Sequence, residues 1–329
     1  MLTTPRPKAL ILAAGFGTRL RPLTDSRAKP SLPILGIPTF WYSVWHLKNE
    51  LGIEEFAINL SHAPDSVRQA CADPDLQKKL KVRFYFSDET SNILGSSGAL
   101  WKIRDWVGDS KLIVCNGDTI SFPSWRRMFE FHEQTQAMLT LHLRPFKDKI
   151  AYTIIDCDSW GKVLALLPAQ TEGTMFTGCY VVEPSALLML PPEKSELRKT
   201  LLEPLLAQGR LYGFSEDIGW FDTGAINAFA QTQLSLLTKM PFCRNLVEIK
   251  MQEAVPGCWV PKTWTKGQIE RLVFRPPVVL NGSFEQWLSN SKSYGPRFVG
   301  LNPPQNFSSE SETENALVSE DFTFALEEF

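Results

Sequence analysis

The residues best suited to chemistry in this sequence lie near its start, where an apolar run leads into a loop with two glycines. Residues 9–14 are apolar and have the length of a buried strand, and Gly15 and Gly17 follow directly. Glycine lets a backbone approach a ligand closely, and exposed N–H groups in such a loop can hold phosphate oxygens. Arg19 and Lys29 add two positive charges just beyond the loop. The stretch predicts a polyphosphate site, and an ordinary tight turn is the alternative that the glycines alone leave open.

Two other phosphate-binding patterns do not fit the same stretch. A dinucleotide fingerprint needs a third glycine where the chain has Leu20, and a Walker loop needs Gly-Lys-Ser/Thr after four intervening residues. The missing third glycine argues against a Rossmann dehydrogenase.

A second chemical feature is Asp118, which follows the apolar run 112–115 and the dipeptide Asn116-Gly117. An acid after a buried strand and a glycine turn is well placed to hold a hard cation. Mg²⁺ takes one or two protein carboxylates and completes its shell with substrate phosphates and water. A turn or a helix cap is the competing interpretation of Asp118, because Asn, Gly and Asp are all turn residues.

Strand and helix patterns alternate through the first half of the chain, which predicts a three-layer α/β sheet with mostly parallel strands. In such a sheet ligands bind at the carboxyl ends of the strands, where both the glycine loop and Asp118 are placed. The predicted strands are residues 9–14, 55–60, 82–86, 111–115 and 137–143, and the predicted helices are 38–51, 64–80, 98–107 and 125–134.

The pattern changes from about residue 152 onward. It predicts hairpin strands, a longer strand, two helices and two short strands, at residues 152–156, 162–167, 176–182, 197–208, 211–214, 218–221 and 225–237. Residues 250–305 are rich in Pro, Gly and Trp and show little helical periodicity. The fold class expected is therefore a Rossmann-like mixed sheet with a small, irregular, β-rich C-terminal region.

Composition limits the function classes. The chain has 329 residues, 43% hydrophobic and 21% charged, with a net charge of −2, which is ordinary for a soluble globular protein. A charge so close to zero argues against nucleic acid or a membrane surface as partner. No apolar run reaches membrane-spanning length, and residues 1–8 lack the apolar core of a signal peptide, so a cytoplasmic protein is expected.

The six cysteines form no C-x-x-C pair, which argues against a zinc site. They are expected to be small buried hydrophobic residues in a reducing compartment.

Taken together, these segments resemble the sugar-1-phosphate nucleotidyltransferases. That family's signature reads A-A-G-x-G-T-R-L-x-P-L-T followed by K-P, and the chain matches it at residues 13–24 and 29–30. Further similar segments are L-G-S-S-G-A-L at 94–100, N-G-D at 116–118, F-T-G at 176–178 and G-W-F-D-T-G at 219–224. The five segments keep the family's order across residues 8–230. The pattern is most similar to the branch of N-acetylmuramate-1-phosphate uridylyltransferases and mannose-1-phosphate guanylyltransferases.

The resemblance implies a role for each matching residue. Arg19 and Lys29 would be catalytic, with Arg19 on the β- and γ-phosphates and Lys29 near the reaction centre. Asp118 and Asp222 would hold Mg²⁺. The residues implied in nucleotide binding are Ala13, Ala14, Gly15, Gly17, Thr18, Glu89, Ser97 and Gly98, and those implied in sugar-phosphate binding are Asn116, Thr177 and Gly178.

The chain departs from the family pattern on the sugar side. Thr177 stands where many members have asparagine. Many members also carry a lysine for the sugar phosphate just before this strand, whereas residues 163–168 contain none and Lys162 is somewhat early.

The activity implied is Mg²⁺-dependent transfer of a nucleoside monophosphate from a nucleoside triphosphate to a sugar 1-phosphate, with release of pyrophosphate. The expected partners are these two substrates, and a homo-oligomer is an open possibility. Two alternatives remain: a non-catalytic, sugar-nucleotide-binding regulatory subunit of the same fold, and a cytidylyltransferase for a phosphorylated alcohol. The sequence leaves the base and the sugar undetermined.

The domain organisation expected has three parts. Residues 1–238 form the catalytic domain, residues 239–305 the β-rich region and residues 306–329 an acidic tail. Related transferases often carry a left-handed β-helix after the catalytic domain, and a degenerate form of it is one interpretation of residues 239–305.

Overall fold

The computed structural model describes residues 5–146, 153–168 and 172–270, together with short strands between residues 273 and 325. The strands are β1 (Lys8–Leu12), β2 (Pro33–Ile34), β3 (Ile37–Pro38), β4 (Glu55–Leu60), β5 (Arg83–Asp88), β6 (Leu112–Asn116), β7 (Thr119–Ser121), β8 (Leu139–Phe146), β9 (Ile154–Cys157), β10 (Val163–Leu167), β11 (Gly173–Val182), β12 (Leu211–Ser215), β13 (Trp220–Asp222), β14 (Met251–Val255), β15 (Cys258–Pro261), β16 (Val273–Phe274), β17 (Val278–Leu280), β18 (Ser293–Tyr294), β19 (Phe298–Gly300), β20 (Ala316–Ser319) and β21 (Phe322–Ala325).

The helices are α1 (Phe40–Leu51), α2 (Pro64–Cys71), α3 (Pro74–Leu80), α4 (Gly95–Val107), α5 (Trp125–Thr135), α6 (Pro184–Leu187), α7 (Glu203–Ala207), α8 (Ile226–Lys239), α9 (Arg244–Val247) and α10 (Lys266–Ile269). Single 3₁₀ turns lie at Thr18–Leu20, Lys29–Ser31 and Pro241–Cys243, and a π-helical turn at Arg198–Leu202 leads into α7.

The central sheet is mixed and has helices on both faces, as the alternating pattern predicts. Its strand order is β10-β9-β11-β6-β1-β4-β5, and β8 and β12 continue from β11 on a branch. Strands β6, β1, β4 and β5 are parallel neighbours, while β11 runs antiparallel to β6 and β8. Because β1 lies between β4 and β6 and is covered on both faces, it reads as an unbroken apolar run.

Two hydrophobic cores lie on opposite sides of this sheet, which makes the fold three-layered. Ile11, Ile58 and Ile113 point into the core that α1 covers. Leu10 and Val114 point into the core on the opposite face of the sheet, which α4 covers. The predicted α/β sheet is confirmed. It places the carboxyl ends of β1 and β6 side by side, with Leu12 paired with Asn116.

The predicted helix over residues 64–80 is two helices. Asp73 accepts hydrogen bonds from the N–H groups of Asp75 and Leu76 at 3.1 Å each, and Pro74 is the first residue of α3. This is a helix start in which proline loses no needed hydrogen bond.

The C-terminal region forms its own sheet, in the order β14-β15-β17-β19-β20-β21. Strands β15, β17 and β19 pair in parallel, with Cys258 opposite Val278 and Val278 opposite Phe298, so equivalent residues recur every 20 positions. Such spacing is typical of stacked coils in a solenoid. The left-handed β-helix and the domain boundaries stay predictions.

Strands β20 and β21, which lie within the predicted acidic tail, extend the same sheet. Residues 306–315, the first part of that tail, lie outside the described residues. In the described part of the chain, no helix is both long and apolar enough to cross a membrane.

The chain turn after β6 depends on Gly117. Its N–H donates to Leu12 O at 2.9 Å, and a Cβ on Gly117 would lie 2.9 Å from Leu12 O and 3.1 Å from Pro30 Cβ. The Lys29-Pro30 turn therefore packs directly on the strand end that carries Asp118.

We expect Gly117→Ala to lower the free energy of unfolding by about 1–3 kcal/mol, because the added methyl group must displace the backbone of β1. Urea denaturation measures this. The control is Gly267→Ala, where an added Cβ meets nothing within 4 Å. The control is expected to be as stable as the wild type or slightly more stable. Equal stability of both variants would contradict the packing argument.

Candidate active site

Two predicted aspartates and one predicted lysine meet at the carboxyl edge of the parallel strands. Lys29 Nζ lies 2.5 Å from Asp118 Oδ2 and 3.9 Å from Asp222 Oδ1. The lysine side chain is only 8% exposed, while the two aspartates are 37% and 27% exposed. The ammonium group is thus buried beneath two carboxylates that still face solvent.

A two-stranded sheet brings the aspartates together. Strand β13 pairs antiparallel with β7, which sets Asp222 opposite Thr119. Thr223 strengthens the link, since its hydroxyl donates to Asp118 O at 2.7 Å. This link joins residues 105 positions apart, so the spatial convergence lies beyond what sequence reasoning could show.

Gly224 marks the point at which the cations approach the acids. A Cβ there would lie 2.7 Å from Asp222 Oδ1, 2.8 Å from Arg19 Nη2 and 3.0 Å from Lys29 Nζ. The Gly224 N–H donates to Asp222 Oδ1 at 2.8 Å and so orients that carboxylate. The structure therefore brings the catalytic and metal residues implied by the sequence into one cluster.

The predicted phosphate loop is exposed at its tip and anchored at its base. Gly15, Thr18 and Arg19 are exposed. Gly17 has φ +64°, and a Cβ on it would lie 2.8 Å from Thr24 Cγ2. The Thr24 hydroxyl donates to Gly17 O at 2.9 Å. Gly17 is thus required by both its backbone conformation and its packing.

The loop is held from below by a buried polar chain that the sequence reasoning missed in part. The Ala13 N–H donates to Asn59 Oδ1 at 2.6 Å, Asn59 Nδ2 donates to Glu89 Oε1 at 3.0 Å, and the Leu94 N–H donates to Glu89 Oε2 at 3.1 Å. Burial raises the pKa of Glu89, and the two hydrogen bonds oppose this without reversing it. An asparagine inside the apolar strand β4 was the available signal for Asn59.

Glu89 is 1% exposed, so its contacts connect two loops rather than face a ligand. Glu89 links the Ala13 backbone, through Asn59, to the start of α4, and so helps to position both loops. Its nucleotide-binding role stays a prediction, and it would be exerted through the residues that Glu89 holds.

The start of α4 packs against the segment before the π-helical turn. Ser97 is fully buried and accepts a hydrogen bond from the Thr200 hydroxyl at 2.7 Å. A Cβ on Gly98 would lie 2.7 Å from Leu94 Cβ. The Ser97 N–H is engaged as well, since it donates to Ser195 O at 3.1 Å. The nucleotide contacts of this segment therefore stay a prediction.

On the sugar side, Thr177 lies at an irregularity of β11, where the register shifts between Phe176 and Tyr180. Its hydroxyl is 2.8 Å from His142 Nδ1, and Thr177 O accepts from Trp220 Nε1 at 3.0 Å. Thr177 is 1% exposed. The hydroxyl is thus engaged inside the protein and is not available to a ligand. A sugar-phosphate role for Thr177 stays a prediction and would involve its backbone.

Asn116 and Gly178, the other residues implied in sugar-phosphate binding, lie against each other. Gly178 has φ +89°, and a Cβ on it would lie 2.4 Å from Asn116 Nδ2. Only glycine leaves room for the Asn116 side chain beside Asp118.

Lys162 lies away from this cluster. A Cβ on Gly209 would be 2.8 Å from Lys162 Nζ, and Lys162 bridges to Tyr212 near the start of β12. Strand β12 begins at the sheet edge opposite the aspartates, because it runs parallel to β8. Lys162 therefore does not replace the lysine that the sugar side lacks.

Comparisons with known proteins agree with this geometry. The family model described as "Nucleotidyl transferase" matches residues 8–239. The chain belongs to this family. A mannose-1-phosphate guanylyltransferase of Mycobacterium tuberculosis is 27% identical over 245 residues, which are 72% of this chain and 66% of that protein.

Two further members extend the comparison. A UTP–glucose-1-phosphate uridylyltransferase of Synechocystis is 26% identical over 314 residues, 89% of this chain and 78% of that protein. The crystal structure of HddC from Yersinia pseudotuberculosis superposes with a TM-score of 0.60 at 22% identity, over 70% of this chain and 99% of HddC. At this identity the superposition shows a shared fold, a Rossmann-like mixed sheet with helices.

The His142 network continues to Glu216, which the sequence reasoning did not single out. His142 Nε2 lies 3.1 Å from Glu216 Oε1, and the Ser124 N–H donates to the same oxygen at 2.7 Å. Burial by itself would raise the pKa of Glu216, but the hydrogen bonds from His142 and Ser124 outweigh it and lower the pKa below the usual 4.5. The carboxylate ties β8, β12 and the segment after β7 together.

We expect Glu216→Gln to reduce the free energy of unfolding by about 1–3 kcal/mol at pH 7, since hydrogen bonds to a buried charge are lost. A carboxyl group whose pKa is lower in the folded state stabilises above its unfolded pKa and loses that effect as the pH falls through its folded pKa. The difference from wild type should therefore shrink below about pH 4.5. Urea denaturation at several pH values measures it, with the exposed Glu203→Gln as control. A difference that stays constant between pH 7 and pH 3 would contradict this role.

Proposed function

We propose that this protein is a Mg²⁺-dependent sugar-1-phosphate nucleotidyltransferase. It would transfer a nucleoside monophosphate from a nucleoside triphosphate to a sugar 1-phosphate and release pyrophosphate. The observation that carries the proposal is the convergence of Arg19, Lys29, Asp118 and Asp222 around Gly224. The activities named for its family relatives support it.

The donor set fits a magnesium ion. Asp118 and Asp222 offer hard carboxylate oxygens within 4 Å of one ammonium group, and both remain partly exposed. Among the described residues no group of three or more His, Cys, Asp or Glu side chains could hold a metal. Two carboxylates with substrate phosphates completing the shell is the arrangement typical of Mg²⁺. When bound there, Mg²⁺ would neutralise phosphate charge and polarise the phosphorus centre.

The protein's own residues would act mainly by position and charge. The exposed N–H groups of the Gly15–Gly17 loop would hold the triphosphate. Arg19, beside Gly224, would neutralise the β- and γ-phosphates as the bond to the α-phosphorus breaks. A sugar-phosphate oxygen would form the new bond to that phosphorus. It is already anionic at neutral pH, so no general base is needed.

Lys29 has a second part in this scheme. Its ammonium, buried beneath Asp118 and Asp222, holds both carboxylates in place before substrates arrive. Charges fixed in advance stabilise a transition state without reorganisation during the reaction. When the carboxylates bind the metal, the Lys29 ammonium would also interact with the substrate phosphates.

We expect Asp118→Asn to lower the rate of pyrophosphate release at least about 100-fold, because a charged carboxylate at the reaction centre is lost. A coupled pyrophosphate assay measures the rate. The matched control is Asp105→Asn, an aspartate that is 87% exposed on α4. Wild-type turnover by Asp118→Asn would contradict the role assigned to Asp118.

A substrate panel separates the proposal from its alternatives. It would pair GTP, UTP, dTTP, ATP and CTP with mannose 1-phosphate, glucose 1-phosphate and phosphocholine. Turnover with a sugar 1-phosphate supports the proposal. Turnover only with CTP and phosphocholine indicates a cytidylyltransferase, and nucleotide-sugar binding without turnover indicates a regulatory subunit.

A further inference from the structure

One arginine on the sugar side of the sheet has a buried nitrogen without a hydrogen-bond partner. Arg144 lies on β8, and no described residue accepts a hydrogen bond from its Nε atom. The salt bridges among the described residues do not include Arg144, and Glu216, which lies on the same side of the sheet, is engaged by His142 and Ser124. A partly buried guanidinium without an anion is costly, because burial disfavours charge that is not paired.

Strand geometry determines which way Arg144 faces. Side chains alternate along a strand, so Arg144 shares a face with His142 and Phe146, whereas Leu143 points into the opposite core. Arg144 is also directly opposite Met175 on β11. Residues opposite each other in a pair share one face.

This face lies under Trp220. Phe146, Met175 and Ile154 form a small buried cluster, and Trp220 packs against it. Strand β13 carries Trp220 two residues before Asp222. Arg144 therefore lies next to the surface that Trp220 covers, on the sugar side of the carboxylates.

A further cation in this region would complement the charge of the sugar substrate, because a sugar 1-phosphate is an anion. In the structure Lys29 is paired with Asp118 and Asp222, Arg19 lies beside Gly224, and Lys162 lies near Gly209 at the other edge of the sheet. Arg144 differs from these three in having a buried nitrogen without a hydrogen-bond partner among the described residues.

We propose that Arg144 binds an anionic group of the sugar substrate and determines the specificity of this site for charged sugars. The inference rests on the proposed function. Arginine presents paired N–H donors that match a phosphate or a carboxylate. A bound anion would accept the hydrogen bond that Arg144 Nε otherwise lacks. The sheet would hold the guanidinium in position before the anion binds.

The test compares Arg144→Gln and Arg144→Lys with the wild type and with Arg83→Gln, a control arginine 71% exposed on strand β5. We expect Arg144→Gln to raise the KM for the sugar 1-phosphate by about 10- to 100-fold, the effect of losing a charge-assisted hydrogen bond. The KM for the nucleoside triphosphate should stay within about twofold. Arg144→Lys keeps the positive charge but lacks the paired N–H donors of arginine. Its KM for the sugar 1-phosphate should therefore lie between those of wild type and Arg144→Gln.

Thermal unfolding distinguishes recognition from a structural role. Removing an unpaired, partly buried charge should leave the Tm of Arg144→Gln equal to that of wild type or higher. A lower Tm together with equal losses for both substrates would mean a structural role and would overturn the proposal. A KM that is unchanged for both glucose 1-phosphate and glucuronic acid 1-phosphate would also overturn it.

A binding experiment makes the proposal independent of turnover. Calorimetric titration of wild type and Arg144→Gln with glucose 1-phosphate, and with glucuronic acid 1-phosphate, reports affinity directly. Equal weakening for both ligands identifies the phosphate as the group bound, and weakening for the uronic acid alone identifies a carboxylate. Failure of wild type to turn over any substrate pair would sink the proposed function only. Binding of both ligands that is the same in wild type and Arg144→Gln, or absent in wild type, would overturn the role of Arg144.

Discussion

The pairing of β13 with β7 is the constraint on which the site depends. Asp118 and Asp222 belong to segments that are far apart in the chain, and this pairing sets Asp222 opposite Thr119, next to Asp118. The Thr223 hydroxyl on Asp118 O, the strand pairing of Asp222 with Thr119, and the Gly224 N–H on Asp222 form one compact unit. Together with Lys29 Nζ, which lies 2.5 Å from Asp118 Oδ2 and 3.9 Å from Asp222 Oδ1, this unit holds the two carboxylates before any substrate binds.

The two halves of the site are constructed differently. On the side proposed to bind the nucleotide, the glycine loop is exposed at its tip, and the side chains of Asn59 and Glu89 are buried beneath it as supports. On the sugar side, buried side chains of Thr177, His142 and Glu216 form the support. A phosphate loop that binds through backbone groups places few demands on its side chains. A sugar site lined by side chains would instead select its sugar through the identity of those residues. Arg144 stands on that second half.

Much of the fold followed from periodicity. The apolar run before Gly15, the helix over α1 ended by Gly52, and the alternating strand β5 all lie close to their predicted positions, because burial of one face sets the pattern locally. The antiparallel insertion of β11 between β6 and β8 could not be predicted in the same way. Strand pairing depends on which edges meet, and β11 has the same apolar pattern whichever neighbour it takes.

For the site, residue types and spacing alone singled out Arg19, Lys29 and Asp118, and the resemblance to a family added Asp222. The resemblance also implied roles for Glu89, Ser97 and Thr177, whose side chains the tertiary structure turns inward. Which way a polar side chain points is decided by the elements packed around it, and these come from distant parts of the chain. The sequence by itself therefore determined the chemistry available, namely a glycine loop, two cations and acids at strand ends. Only the tertiary structure decided which of these groups share a surface and that Arg144 Nε has no hydrogen-bond partner among the described residues, since pairing depends on distance in space and not on position in the chain.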